Sequence, residues 1–387
     1  MRVVAATSTS PDVVVAREEV VARLVAELDG DPADLVVLFA SLGHRTALAD
    51  HAEALADALG APPALVGGVA QGVVGADREL EDGPALTAWV AVLDGGEAAP
   101  FRTWAVRSES GTTSVLGWPD TRPDDVVVLL VDPFTYPVGD VLRRMSEERP
   151  GHAVVGGMVT GGPGGTGLVL GDQVHPDGAV GVVLRDVDAH VLVSQGCRPV
   201  GEPLTVTAAE GNVLLQLAGR PAVEVLAELL EQADEVEAAR IQRGLQVGLV
   251  ADLHRDEYEV GDFLVRGVLG IDRERGGVVV GDAVEVGQVA CFHVRDADAA
   301  GADLHDRLAA TVGEPTAGAL LFTCNGRGSH LFGLPDHDRG VLQSFVDAPV
   351  SGAFCAGELG PVGDANHVHG FTASVLLLRG ESDPSGT

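Results

Sequence analysis

Cysteine, asparagine and arginine stand close together in Cys324-Asn325-Gly326-Arg327-Gly328, and a second cysteine precedes a glutamate in Cys355-Ala356-Gly357-Glu358. Each group closes a short apolar run, Ala319–Thr323 and Val350–Cys355, and a third run, Phe371–Leu378, follows His369-Gly370. A guanidinium binds a carboxylate through two parallel hydrogen bonds, a carboxylate receives an ammonium, and an amide both donates and accepts. Arg327, Glu358 and Asn325 therefore suit a zwitterion, of which an amino acid is the simplest. Gly326 and Gly357 allow backbone amides to approach it closely. Cys324 or Cys355 could instead serve a cysteine-dependent hydrolase or transferase, if His369 lowered a thiol pKa. Nothing else in the sequence completes an oxyanion-stabilising arrangement, so the binding site is the reading kept and no catalytic residue is assigned. The structural alternatives are plain: Arg327 and Glu358 as ion-pair partners, the thiols and His369 as core.

Other chemistries fail on spacing. No CxxC or His/Cys pattern proposes a metal, and no cofactor is expected. The Gly-rich stretch 161–167 lacks the Gly-Lys-Ser/Thr ending of a phosphate loop, and the chain contains no lysine.

Short apolar runs bounded by glycine read as buried strands, and α/β proteins place their sites where such strands end. The same order recurs three times. Leu35–Ala40, a loop, a helix over Arg45–Leu59, Ala64–Ala70 and Leu86–Leu93 form the first copy. Asp125–Val131, a helix over Val138–Glu148, Ala153–Val159 and Ala179–Leu184 form the second. The third covers 318–378, with Phe322 answering Phe39, and Gly67-Gly68 answers Gly156-Gly157. Pro11–Leu28 has helical periodicity ahead of the first copy. Strands and a helix over Ala222–Glu231 fill the interval between copies two and three, and Arg295-Asp296 opens another helix. The expected fold is mixed α/β: repeated β-α-β-β units forming mixed sheets flanked by helices, in two domains, 1–210 and 211–387.

A formal charge of −32, with every basic side chain an arginine, excludes nucleic acid and anionic membrane as partners, since both need a basic footprint. Four scattered cysteines do not make a disulfide scaffold. No apolar run approaches bilayer length, and Met1-Arg2-Val3-Val4 opens without a signal-peptide pattern. A cytoplasmic protein with reduced thiols is expected.

Several stretches resemble the FIST sensory family, whose members pair an N-terminal with a C-terminal FIST domain. They are LVGGVAQGVVGADRELEDGPAL at 65–86, AEGNVLLQLAGRPAVEVL at 209–226, GDFLVRGVLGID at 261–272 and VGQVACFHVRD at 286–296. CNGRG at 324–328, FCAGELGPVG at 354–363 and HGFTASVLLL at 369–378 complete them. The departure is Gly67-Gly68-Val69-Ala70-Gln71-Gly72, where the family more often has Gly-Cys-Thr-Ala-Gly-Gly; this argues against thiol chemistry in the N-terminal half. The resemblance implies a sensory module that binds a small molecule, amino acids among the candidates, and a signalling partner protein acting in trans.

Overall fold

Alternation along the central strands decides the architecture. In Leu35–Ser41, Leu35, Val37 and Phe39 enter one core while Val36, Leu38 and Ala40 enter another. Val126–Val131 divides likewise, Val128 and Leu130 against Val127, Leu129 and Val131. So does Thr316–Cys324, Leu320 and Phe322 against Ala319 and Leu321. The first-named set of all three strands belongs to one shared core, where Phe39 and Phe322 meet edge to face at 6.2 Å. The second sets pack against helices: Val13–Leu28 and Leu48–Ala58, then Val138–Glu148, then Ala297–Ala309 and His337–Phe345. Both faces are thus covered, so these strands are apolar throughout rather than alternating with polar residues.

This computed structural model describes residues 1–108, 111–161, 167–251, 258, 260–311, 313 and 315–380. The chain divides into two compact units. One comprises Met1–Val193, Leu304–Val368 and Thr372–Thr387; the other comprises Ser194–Asp303 and His369–Phe371. Residues 162–166 of the Gly-rich stretch lie outside the described residues.

The first unit holds three mixed sheets of one plan. In each, a helix-linked pair of parallel strands is flanked by a third strand antiparallel to the first. The pairs are Leu35–Ser41 with Ala64–Ala70, Val126–Val131 with Val154–Met158, and Thr316–Cys324 with Val350–Cys355. Their antiparallel flanks are Leu86–Val92, Ala179–Arg185 and Thr372–Arg379. The far edge of each sheet is a hairpin donated by another segment. Val73–Val74 and Glu79–Leu80 join the third segment's sheet, Leu168–Leu170 and Gln173–His175 the first's, and Glu358–Val362 and Ala365–His369 the second's. The exchange is cyclic, and it covers edges that would otherwise expose unpaired backbone groups.

Glycine is required at one step of this plan. A Cβ on Gly67 would lie 2.0 Å from Leu38 O, on Gly156 2.0 Å from Leu129 O, and on Gly352 1.8 Å from Leu321 O. The register places these three glycines opposite equivalent residues, Leu38, Leu129 and Leu321. Gly156 also has φ +142. Three residues further on stand Ala70, Val159 and Cys355, all in the shared core. A Cβ on Gly157 would lie 2.3 Å from Cys355 Sγ, so that glycine makes room for the thiol.

The second unit carries a seven-stranded sheet. Its order is Cys197–Glu210, Val289–Arg295, Leu245–Val250, Phe263–Asp272, Gly277–Val280, Val213–Leu217 and Arg220–Pro221. Helices Ala222–Gln232 and Glu235–Gly244 cover a core of Val206, Leu226, Ile241, Val247 and Phe292. Asp296 caps the helix that starts at Ala297, accepting from Ala299 N at 3.1 Å.

Sequence periodicity misses some elements. The strand Glu97–Arg107, the edge strand Thr113–Leu116 and the helix Glu235–Gly244 were not expected, and the helix of the third copy, His337–Phe345, was expected without bounds. The helix expected over 45–59 covers Leu48–Ala58, because Leu42–Ala47 forms a 3-10 turn first.

Candidate functional site

The strand Thr316–Cys324 ends in a tight turn. Asn325 N donates to Cys355 O at 2.8 Å, Arg327 N to Cys324 O at 2.9 Å, and Gly326 N to Cys324 Sγ at 3.4 Å. Gly328, at φ +69, lets the chain turn back into the short helix Ser329–Phe332. A Cβ there would strike the Glu81 carboxylate, which accepts from Ser329 N at 2.8 Å and Ser329 Oγ at 2.7 Å. The two exits therefore converge: Cys324, Asn325, Gly326 and Arg327 come together with Cys355, Gly357 and Glu358.

Arg327 has no exposed side-chain surface, and its fork is engaged. Nε donates to Asp338 Oδ2 at 2.6 Å and Nη2 to Asp338 Oδ1 at 2.7 Å. Asp338 lies in the first turn of the helix His337–Phe345 and also accepts from Thr323 Oγ1 at 2.7 Å. His337 Nδ1 lies 3.1 Å from Asp338 Oδ1, and its ring stacks on Phe332 at 3.4 Å, beside the Arg327 guanidinium. Although burial works against the Asp338 charge, the guanidinium holds this carboxyl far below the ordinary range. Asp338 is the residue that sequence reasoning missed. The signal was indirect: a buried arginine demands a counter-ion, and Asp336-His337-Asp338 follows Arg327 by only nine to eleven residues.

Glu358 is also fully buried, in register with Gly157. Its Oε2 accepts from Thr372 Oγ1 at 2.7 Å and Thr372 N at 3.1 Å. Among the described residues Oε1 has the Cys324 thiol as its nearest pull and no partner of good hydrogen-bonding geometry, and Asn325 Oδ1 has no such partner. Burial raises the Glu358 pKa to about 8, against opposing pulls from Thr372, the Arg327 charge and the Cys324 thiol. Glu358 is therefore mainly neutral near pH 7. Burial pushes the Cys355 thiol well above its ordinary value, with Glu358 and Cys324 adding to the rise, which disfavours the thiolate a nucleophile needs. His369 is 4% exposed, ends the strand Ala365–His369, and groups with the second compact unit. Among the described residues no cluster of His, Cys, Asp and Glu could hold a metal.

Glu79, from the hairpin donated by the first segment, accepts from Arg339 N at 2.8 Å. Burial, with Asp338 nearby, lifts its pKa to about 7. A carboxyl whose folded pKa is raised stabilises the fold most below its unfolded pKa, and that contribution is lost as pH rises through the folded value. For Glu358 the window runs from 4.5 to about 8. His51 and His293, both lowered to about 4 by burial, act oppositely on the acid side. A difference curve isolates Glu358. The stability of Glu358→Gln minus wild type, from urea titrations, should climb by about 2–4 kcal/mol between pH 5 and pH 8.5. A flat difference would show that Glu358 does not ionise in that window.

Residues 34–220 match the FIST N domain and residues 222–361 the FIST C domain. An uncharacterized protein of Mycobacterium tuberculosis (strain ATCC 25618 / H37Rv) is 41% identical over 385 residues, covering 98% of this chain and 100% of the relative. One of Mycobacterium bovis (strain ATCC BAA-935 / AF2122/97) is 40% identical, covering 98% and 99%. The chain belongs to the FIST family. FIST domains are associated with sensory signal transduction and small-ligand binding. Among the described residues, no helix is long and apolar enough to cross a membrane.

Proposed function

We propose that this protein senses a small polar metabolite bearing an ammonium group, an amino acid being the simplest, at the converged exits of the third segment. The observation that carries this is Glu358, a fully buried carboxyl at a strand exit whose Oε1, among the described residues, meets no stronger donor than the Cys324 thiol. In the ionised form such a buried oxygen costs free energy until a donor arrives. Asn325 Oδ1 is a second such acceptor at the same exit. The Arg327 guanidinium, whose Nε and Nη2 are held by Asp338, is the group assigned to the ligand's carboxylate, and this reading requires the carboxylate to share it with Asp338. Cys324, Gly326, Cys355 and Gly357 shape the turns.

The three segments of like topology are read as copies of one β-α-β-β unit. The family domains are read as 1–210 and 211–387 in sequence. The protein is placed in the cytoplasm, without nucleic acid as a partner, and its signal passes to a partner protein in trans.

A thermal-shift screen of the twenty proteinogenic amino acids tests the reading. At least one should raise Tm in wild type, since ligand at 100 times its Kd contributes about 2.7 kcal/mol. The same compound should shift Arg327→Lys and Glu358→Gln less, with both variants folded by circular dichroism. Equal shifts in all three proteins would move the site elsewhere, and no shift from any amino acid would remove this ligand class.

A further inference from the structure

The first segment ends its parallel strands Leu35–Ser41 and Ala64–Ala70 beside an open cleft of about 540 Å³. Leu42, Gly43, Gln71, Asp82, Pro84 and Thr160 line it. Through the register that aligns Gly67 with Gly352, Leu42 and Gly43 stand where Asn325 and Gly326 stand in the third segment. Gln71 takes the place of Ala356. The cleft is thus the counterpart of the proposed site, with different side chains and in a volume range usual for small-molecule pockets.

Its walls are tied together. Ser41, 1% exposed, donates from Oγ to Gly83 O at 2.8 Å and accepts from Ala85 N at 2.8 Å. Its backbone N donates to Ala85 O at 2.8 Å. A Cβ on Gly43 would come 3.0 Å from Pro84 Cα, so the two walls meet closely. Such bonding fixes the cleft before a ligand arrives.

Its chemistry points to one ligand class. Asp82 is the formal charge in the lining, Gln71 brings an amide and Thr160 a hydroxyl, and Leu42, 46% exposed, and Pro84 form an apolar side. Arg45, near in sequence, does not line the cleft and donates to Gly161 O at 3.2 Å. A carboxylate or phosphate would meet Asp82 and the field of a chain with formal charge −32. We propose that this cleft is a second binding site, separate from the Glu358 site, for a small organic amine: a cationic head on Asp82 and an apolar body against Leu42 and Pro84.

Isothermal titration at low ionic strength with phenethylammonium, 2-phenylethanol and 3-phenylpropanoate tests it. Phenethylammonium should bind best and phenylpropanoate least. Asp82→Asn should raise the Kd for the amine about fivefold, the size expected of one partly solvated ion pair. Asp50→Asn, on the exposed face of the helix Leu48–Ala58, should leave that Kd unchanged and so reports any general attraction to an acidic surface. Glu358→Gln should leave it unchanged too, which keeps this site's failure distinct from that of the Glu358 site. Absence of amine binding, an equal effect of Asp50→Asn, or loss in Glu358→Gln without loss in Asp82→Asn would each overturn the proposal.

Discussion

Replacing Asp338 by Asn is expected to lower the unfolding free energy by about 3–5 kcal/mol, since it strands a charge away from water. Arg327 and Asp338 are 0% and 1% exposed at the side chain and joined at 2.6 Å and 2.7 Å. Desolvating both groups is costly, and their mutual attraction, with the bonds from Thr323 and His337, offsets it. Removing one partner leaves the other's full penalty; removing both does not. The double variant Arg327→Met/Asp338→Leu should therefore be markedly more stable than either single charge deletion. Denaturant midpoints for the four proteins give the coupling directly. If the single and double changes simply add, the pair is not acting as a unit.

The second large effect belongs to the glycines. Gly156→Ala should destabilise by about 2–5 kcal/mol, combining overpacking with a positive φ that suits only glycine. The Cβ would sit 2.0 Å from Leu129 O at φ +142, and the neighbouring atom is backbone, which cannot turn aside. Gly352→Ala should cost a similar amount against Leu321 O at 1.8 Å. Gly340→Ala makes the contrast: it lies in the helix His337–Phe345 with nothing near its added methyl. It should stabilise by about 0.5–1 kcal/mol through helix propensity alone. If urea midpoints for all three variants lie together, close backbone approach is not what these glycines provide.

These effects show what was legible beforehand. The central strands were readable because burial on both faces writes uninterrupted apolar runs, and the equivalence of Gly67 with Gly156 was visible as a repeated dipeptide. The exchanged hairpins were not readable. Val73–Val74 and Glu79–Leu80 are two residues each, too short for a period, and their partners lie in a distant segment, Val73 pairing with Ala353 and Glu79 bonding Arg339. Within the site, convergence of the two exits followed from like positions in parallel strands. The commitment of Arg327 to Asp338 did not, because Asp338 sits on a helix that its own sequence barely announces. Cys355 was weighed as a nucleophile from its type. Its core neighbours, Val159 and Ala70 among them, explain it better as a packed thiol.

The central claim is that an ammonium-bearing ligand meets Glu358, so binding must ionise a carboxyl that is mainly neutral near pH 7. Calorimetry tests this, using the amino acid that most raises Tm, in two pH 7 buffers of different ionisation enthalpy. Wild type should release about one proton per ligand bound, and Glu358→Gln none. Identical binding enthalpies in the two buffers for wild type would contradict the account.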